Sequence, residues 1–238
     1  LYADDTTLFA KGRDLTTVAE KVHKNILCLK EWLGKNKLIL NENKTKNMAF
    51  SICREGEQGD PAVFLGITLD SQLSWKAHID SLSNRLSQIV YLLRKLSDEV
   101  PLEVLRITYF ALFHARMSYG IELWGSSPHA FVIFKVQKSA VKTMLKKKLH
   151  ESGRPLFQKL MIMTLPSLYI YKLALRQKGN KDAVTRGNQH QYNIRSKENI
   201  YLPATRLKKT EILPDVASVR IFNKIPVTIR RLEIKTFE

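Results

Sequence analysis

The residues best suited to chemistry in this 238-residue chain stand together near its start, as Tyr2-Ala3-Asp4-Asp5. Two adjacent carboxylates repel one another unless a cation lies between them, and hard divalent ions such as Mg2+ take oxygen donors of this kind. In a two-metal arrangement, with ions roughly 4 Å apart, such a site activates an attacking 3′-hydroxyl and stabilises a departing pyrophosphate. An ordinary polar turn would use the same residues without a metal. The weight of the pair therefore depends on what flanks it.

Apolar runs at 1–3 and 6–10 bracket the pair and predict a strand-turn-strand hairpin with Asp4 and Asp5 at its tip. Asp14 is a candidate N-cap for a helix carrying Leu15, Val18, Ala19, Val22, Ile26, Leu29 and Leu33 on one stripe, with Gly34 as its stop. Short strands are expected at 38–40 and 48–50. A polar loop at 54–60 precedes a further strand at 63–69.

After Trp75 the apolar period becomes helical through Ile79, Leu82, Leu86, Ile89, Val90, Leu93 and Leu96. Pro101 opens another helix, apolar nearly all round and so expected to be buried. Helices follow at 128–148 and 166–178. Residues 179–189 read as a linker by composition, and the remaining tail, broken by Pro203, Pro214 and Pro226, is expected to be extended. The fold class is α+β.

The composition sets outer limits. Hydrophobic residues make up 44% and aromatics 9%, enough for a core, which excludes wholesale disorder. Cys28 and Cys53 are too few for a disulfide framework, and with no signal-peptide pattern the expected setting is intracellular, nuclear or cytoplasmic. No apolar run reaches the roughly 18 residues of a membrane span, so no membrane partner is expected. The histidines show no zinc-ligand spacing, and there is neither a Gly-rich phosphate loop nor a nucleophile elbow.

The charge is lopsided. Of the formal +17, residues 135–238 hold 23 basic and 7 acidic residues, against 16 and 15 in residues 1–134. A basic half interleaved with Phe157, Tyr169, Tyr171, Tyr192 and Tyr201 points to a polyanion, with Lys146, Lys147 and Lys148 as its densest run. A solvated basic face is the competing reading.

Taken in order, Tyr2-Ala3-Asp4-Asp5, Thr6-Thr7-Leu8-Phe9, an amphipathic helix, Leu40-Asn41-Glu42-Asn43-Lys44-Thr45 and Phe64-Leu65-Gly66-Ile67 resemble the C-terminal palm of reverse transcriptases of non-LTR (LINE-type) retrotransposons. The likeness continues through Trp75, Tyr119-Gly120, Trp124-Gly125 and Phe222-Asn223-Lys224-Ile225-Pro226. It implies a partial palm at 1–74, a helical thumb or connection at 75–178 and a basic, loop-rich segment at 179–238. Asp4 and Asp5 would be catalytic carboxylates holding Mg2+ in the intact enzyme, and Tyr2 would stand beside the primer terminus. Lys44 would meet the triphosphate or protonate pyrophosphate, a surface lysine before a strand being its other reading. Phe64, Leu65 and Gly66 would belong to a hairpin that holds the primer. Gly66 would let backbone approach another chain, or would mark a strand bulge. Tyr119 and Trp124 could stack on bases, although aromatics in an apolar helical stretch more often build core.

The implied reaction adds deoxynucleotides to a DNA primer on an RNA template. These polymerases also take an aspartate from an earlier strand and nucleotide-binding fingers. Because the chain opens without Met and within a strand-like run, it is expected to be a fragment, inactive alone and partnered by a missing N-terminal half of the polymerase. The alternatives are a non-catalytic, basic nucleic-acid-binding helical module and an inert remnant of a mobile element.

Overall fold

In the computed structural model the described residues are 6–50, 60–148, 150–180, 182–189, 196–202 and 204–232. The chain forms two compact units, Leu1–Met48 and Ala49–Glu238.

In the first unit, α1 (Leu15–Lys35) begins where expected: Asp14 caps it, its carboxylate accepting from the Thr17 amide at 2.7 Å and from the Thr16 hydroxyl at 2.7 Å. Those bonds hold the Asp14 pKa down to about 2. The end differs from expectation. α1 runs through Gly34 and closes in a Schellman turn, with Leu38 N–H on Leu33 O at 2.9 Å and Lys37 N–H on Gly34 O at 3.1 Å. Lys37, at φ 56°, takes the left-handed place that glycine usually fills. Of the apolar stripe, Val18, Val22, Ile26, Leu29 and Leu33 are half-buried. The stretches 6–10, 38–40 and 48–50 are not strands, so the expected pairing at 6–10 has no counterpart among the described residues.

In the second unit, the strand expected at 63–69 is instead a hairpin, β1 (Ala62–Phe64) antiparallel to β2 (Ile67–Leu69), with Phe64 opposite Ile67. A loop organised by Asp70 leads to α2 (Lys76–Leu96): the Asp70 carboxylate accepts from the amides of Gln72, Ser74 and Trp75 at 2.9–3.1 Å. Pro101 caps α3 (Leu102–Thr108), which continues through one π-helical stretch, Tyr109–His114, into α4 (Ala115–Ser118). This long helix is buried along one stripe only, Leu105, Tyr109, Phe113 and Met117. Ile107 and Val104 face outward, so the expected all-round burial is corrected.

A short α5 (Ile121–Trp124) precedes α6 (Ala130–Met144), which packs along α2. Then come α7 (Arg154–Leu160), which the composition did not announce, and α8 (Leu165–Lys178). Buried side chains from α2 through α8 make one continuous core. Inside it, Gln137 of α6 is fully buried and fully used. It donates to Tyr109 Oη at 3.0 Å and to Met163 O at 2.9 Å, and accepts from Leu165 N–H at 2.8 Å. Burial pushes the Tyr109 hydroxyl up to about 12.

The tail corrects the expectation of an extended segment. After α9 (Lys208–Glu211), α10 (Pro214–Lys224) lies against α8, and α11 (Val227–Arg230) follows Pro226. Pro214 and Pro226 do not break structure here. They sit where a helix begins and its first amides need no partner. Arg176 of α8 bridges to Asp215 of α10 at 2.6 Å and to Glu122 of α5 at 3.3 Å.

Candidate functional site

Tyr2, Asp4 and Asp5 lie outside the described residues, so their geometry and the Mg2+ expected there rest on the sequence. Among the described residues no group of three or more His, Cys, Asp or Glu side chains is placed to hold a metal ion. Lys44 ends a 3-10 turn, Glu42–Lys44, capped by Asn41, whose side-chain oxygen accepts from the Lys44 amide at 3.2 Å. The turn is tied to α1 by Lys30 and Glu42 at 2.6 Å, and that ammonium holds the Glu42 carboxyl below its ordinary range. Lys44 itself is exposed.

Phe64, Leu65 and Gly66 are brought together at the tip of the β1–β2 hairpin. Leu65 at φ 47° and Gly66 at φ 78° both have left-handed backbone, the pattern of a tight hairpin turn whose twist matches its strands. Gly66 is thus explained by its φ and not by a bulge. Close approach within this chain does not demand it either, since an added Cβ would meet only Tyr119 Cε1, at 3.7 Å. Leu65 bears a strain that glycine or asparagine would escape.

The turn is held from outside. Tyr119 Oη donates to Leu65 O at 2.6 Å, and next to it Gly120, at φ 60°, lets Ile67 pack so close that a Cβ there would stand 2.6 Å from Ile67 Cδ1. Tyr119 is fixed in turn by Trp124, whose Nε1 donates to Tyr119 O at 3.1 Å from a fully buried ring. Gly125 completes the brace, because a Cβ there would stand 2.5 Å from Tyr169 and 2.6 Å from Ile121 O. On the other side, Thr68 N–H reaches His78 Nδ1 at 3.4 Å and Ser127 Oγ donates to Ser74 O at 2.9 Å. Trp124 is therefore core, while Tyr119 remains partly exposed and grips the hairpin. The sequence marked Tyr119-Gly120 and Trp124-Gly125 as a block. It carried no sign of their partner 54 positions away.

The tail block Phe222-Asn223-Lys224-Ile225-Pro226 has a similar use. Asn223 behaves like a strand neighbour to Ile200, accepting from its amide and donating to its carbonyl, both at 2.9 Å. Phe222 and Val219 cover the Ile200 side chain, forming a small second core.

The lysine run is less free than its composition promised. Lys146, at φ 52°, is the left-handed residue of a Schellman turn ending α6, with Lys147 N–H on Lys142 O at 2.9 Å and Lys146 N–H on Thr143 O at 3.1 Å. Its ammonium meets Asp98 at 2.7 Å, and Lys147 meets Glu151 at 3.3 Å. Lys148 uses its amide on the same Glu151, at 3.1 Å, and is exposed. Reading the sequence missed a second cationic group on α6, where Lys135 and Lys138 lie over Phe131 and Phe134. The Phe-to-Lys spacing of four was its only signal.

The chain is 28% identical over 141 residues to a probable RNA-directed DNA polymerase from transposon BS of Drosophila melanogaster, an overlap of 52% of this chain and 16% of that one. That likeness supports a relation to the reverse transcriptases of transposable elements, of which this chain spans about a sixth of the relative's length. No protein-family model and no solved structure matches it. Among the described residues no helix is long and apolar enough to cross a membrane.

Proposed function

We propose that this chain is a portion of an RNA-directed DNA polymerase of a non-LTR retrotransposon, comprising part of the palm (1–74), a helical thumb or connection (75–178) and a basic C-terminal segment (179–238). The carrying observation is the match to a transposon RNA-directed DNA polymerase, and the braced hairpin at Phe64–Ile67 supports it. Its partners are an RNA template and a DNA primer. In the intact enzyme Asp4 and Asp5 would hold Mg2+, which would supply charge stabilisation of a triphosphate. Tyr2 borders the primer end, and Lys44 meets the phosphates leaving the nucleotide. Phe64, Leu65 and Gly66 present a short, stiff tip to the primer strand, kept in place by Tyr119. Such rigidity suits a positioning element, because misplacement by about 1 Å can cost a hundredfold in rate.

The test is a photo-crosslinking amino acid substituted for Phe64, used with an RNA template annealed to a labelled DNA primer. Crosslinks confined to the last few nucleotides of the primer are expected. Crosslinks spread evenly over both strands would overturn the assignment.

A further inference from the structure

Between α6, α7 and the start of α8 runs an open groove of about 530 Å3, lined among others by Phe134, Lys138, Arg154, Phe157, Met161 and Ser167. Its volume falls in the range of small-molecule and single-nucleotide sites, roughly 300–1,000 Å3. The floor is apolar: the Phe134 and Phe157 rings lie with centroids 6.2 Å apart, tilted by 36° to one another. On the rim Met161 is 77% exposed and Met163 44%. Exposed apolar side chains gathered at one place mark a binding surface.

The polar lining has one sign of charge. Lys138 and Arg154 both border the groove, and none of the eleven lining residues is Asp or Glu. Lys138 Nζ lies 4.3 Å from the Phe134 ring centroid and 5.4 Å from that of Phe131, while Lys135 lies 5.0 Å from the latter. These ammonium groups are thus kept beside aromatic faces instead of beside carboxylates. A ligand filling the groove needs flat apolar surface for the rings and, a few ångströms away, negative charge for Lys138 and Arg154. The bases and phosphates of an unpaired polynucleotide offer that combination in each residue; a duplex hides its base faces.

We propose that this groove is a binding site for single-stranded nucleic acid, in which the Lys138 ammonium moves from the Phe134 ring to a phosphate that Arg154 also meets, and a base stacks on the ring it leaves. The Schellman turn that ends α7 gives the site its edge. Met161, at φ 51°, reverses the chain there, with Ile162 N–H on Phe157 O at 3.0 Å, and so stands at the open side of the groove. The site does not rest on the polymerase reading, since none of its lining residues belongs to the β1–β2 hairpin and it would bind a strand whether or not the chain extends one.

The test uses the full chain and a fluorescein-labelled oligothymidylate of roughly 12 nucleotides, read by anisotropy in about 0.1 M salt. Phe134→Leu keeps apolar volume but loses the stacking face, and should weaken binding about tenfold without changing the slope of log affinity against log salt. Joint Lys138→Gln and Arg154→Gln should weaken it at least as much and lower that slope by about two. Joint Lys208→Gln and Lys224→Gln removes equal charge elsewhere and should cost less than about threefold. Should Phe134→Leu fail to fold by circular dichroism, mass-spectrometric mapping of crosslinks from a 5-iodouracil oligonucleotide to the wild-type chain takes its place, with Phe134 or Met161 as the expected sites. Equal losses from the two double variants, oligoglutamate displacing the oligonucleotide at equal concentration, or crosslinks lying wholly outside the groove would each overturn the proposal.

Discussion

The hydroxyl of Tyr119 donates to the carbonyl of Leu65 at 2.6 Å and so clamps a two-residue turn in which both residues have positive φ. A leucine in left-handed backbone is disfavoured by about 1–2 kcal/mol. The clamp, together with Ile67 buried under Gly120, offsets that cost and leaves the tip stiff.

Tyr119→Phe should lower stability by about 1 kcal/mol, the usual net worth of one hydrogen bond. Hydrogen exchange is expected to accelerate in the 62–69 hairpin and to stay unchanged in α2 and α6. Leu65→Asn, which creates the Asn-Gly pair this turn favours, should act in the other direction in a thermal melt.

Lys37→Gly should stabilise the first unit by up to about 1 kcal/mol, because the left-handed place closing α1 then carries no Cβ. Lys37→Val should destabilise it. Chemical denaturation of the two variants beside the parent decides the point, and a loss of stability with glycine would refute the assigned cap.

Gln137→Leu fits the volume of the site but strands Leu165 N–H, Met163 O and the Tyr109 hydroxyl inside the core. At about 1–3 kcal/mol for each buried polar group left without its partner, the variant should melt far below the parent or fail to fold. A loss under about 1 kcal/mol would mean that this network adds little.

His78 and His114 are both held below the ordinary histidine value of 6.5, chiefly by burial and then by the nearby charges of Arg85 and Lys172. The unfolded chain therefore takes up these protons more readily than the folded one. Stability is full above pH 6.5 and falls as the pH drops beneath it, levelling off once the lower folded-state values are passed. Protonating His78 at Nδ1 would also remove the acceptor of the Thr68 amide, loosening β2. The loss of stability in this window should be smaller in His78→Gln, as measured by denaturant midpoints at several pH values.

Nucleic-acid binding by the chain should weaken steeply with salt, about a thousandfold between 50 and 200 mM if six phosphates are neutralised. Replacing Lys146, Lys147 and Lys148 together by Ala should lower the slope by about one instead of three. Asp98 and Glu151 already hold the first two ammonium groups. A fall of three would show that these exposed pairs open at no cost when phosphate arrives.

Local rules made much of the architecture readable in advance. The apolar period located α2 to within a residue, and Asp14 and Pro101 marked two helix starts, because caps and periodicity act between residues three or four apart. The charge imbalance and the ordered blocks from Tyr2 to Pro226 needed no coordinates at all. Where helices end was less legible. Lys37, Lys146 and Met161 take left-handed places that composition assigns to glycine, while Gly34 sits inside α1. Only the tertiary structure joined Tyr119 to Leu65, Asn223 to Ile200 and Gln137 to Leu165, and turned an expected extended tail into a helix against α8. The physical reason is common to all of them: partners tens of positions apart meet only after the chain has closed around a core, and burial then selects a backbone that local propensity would not.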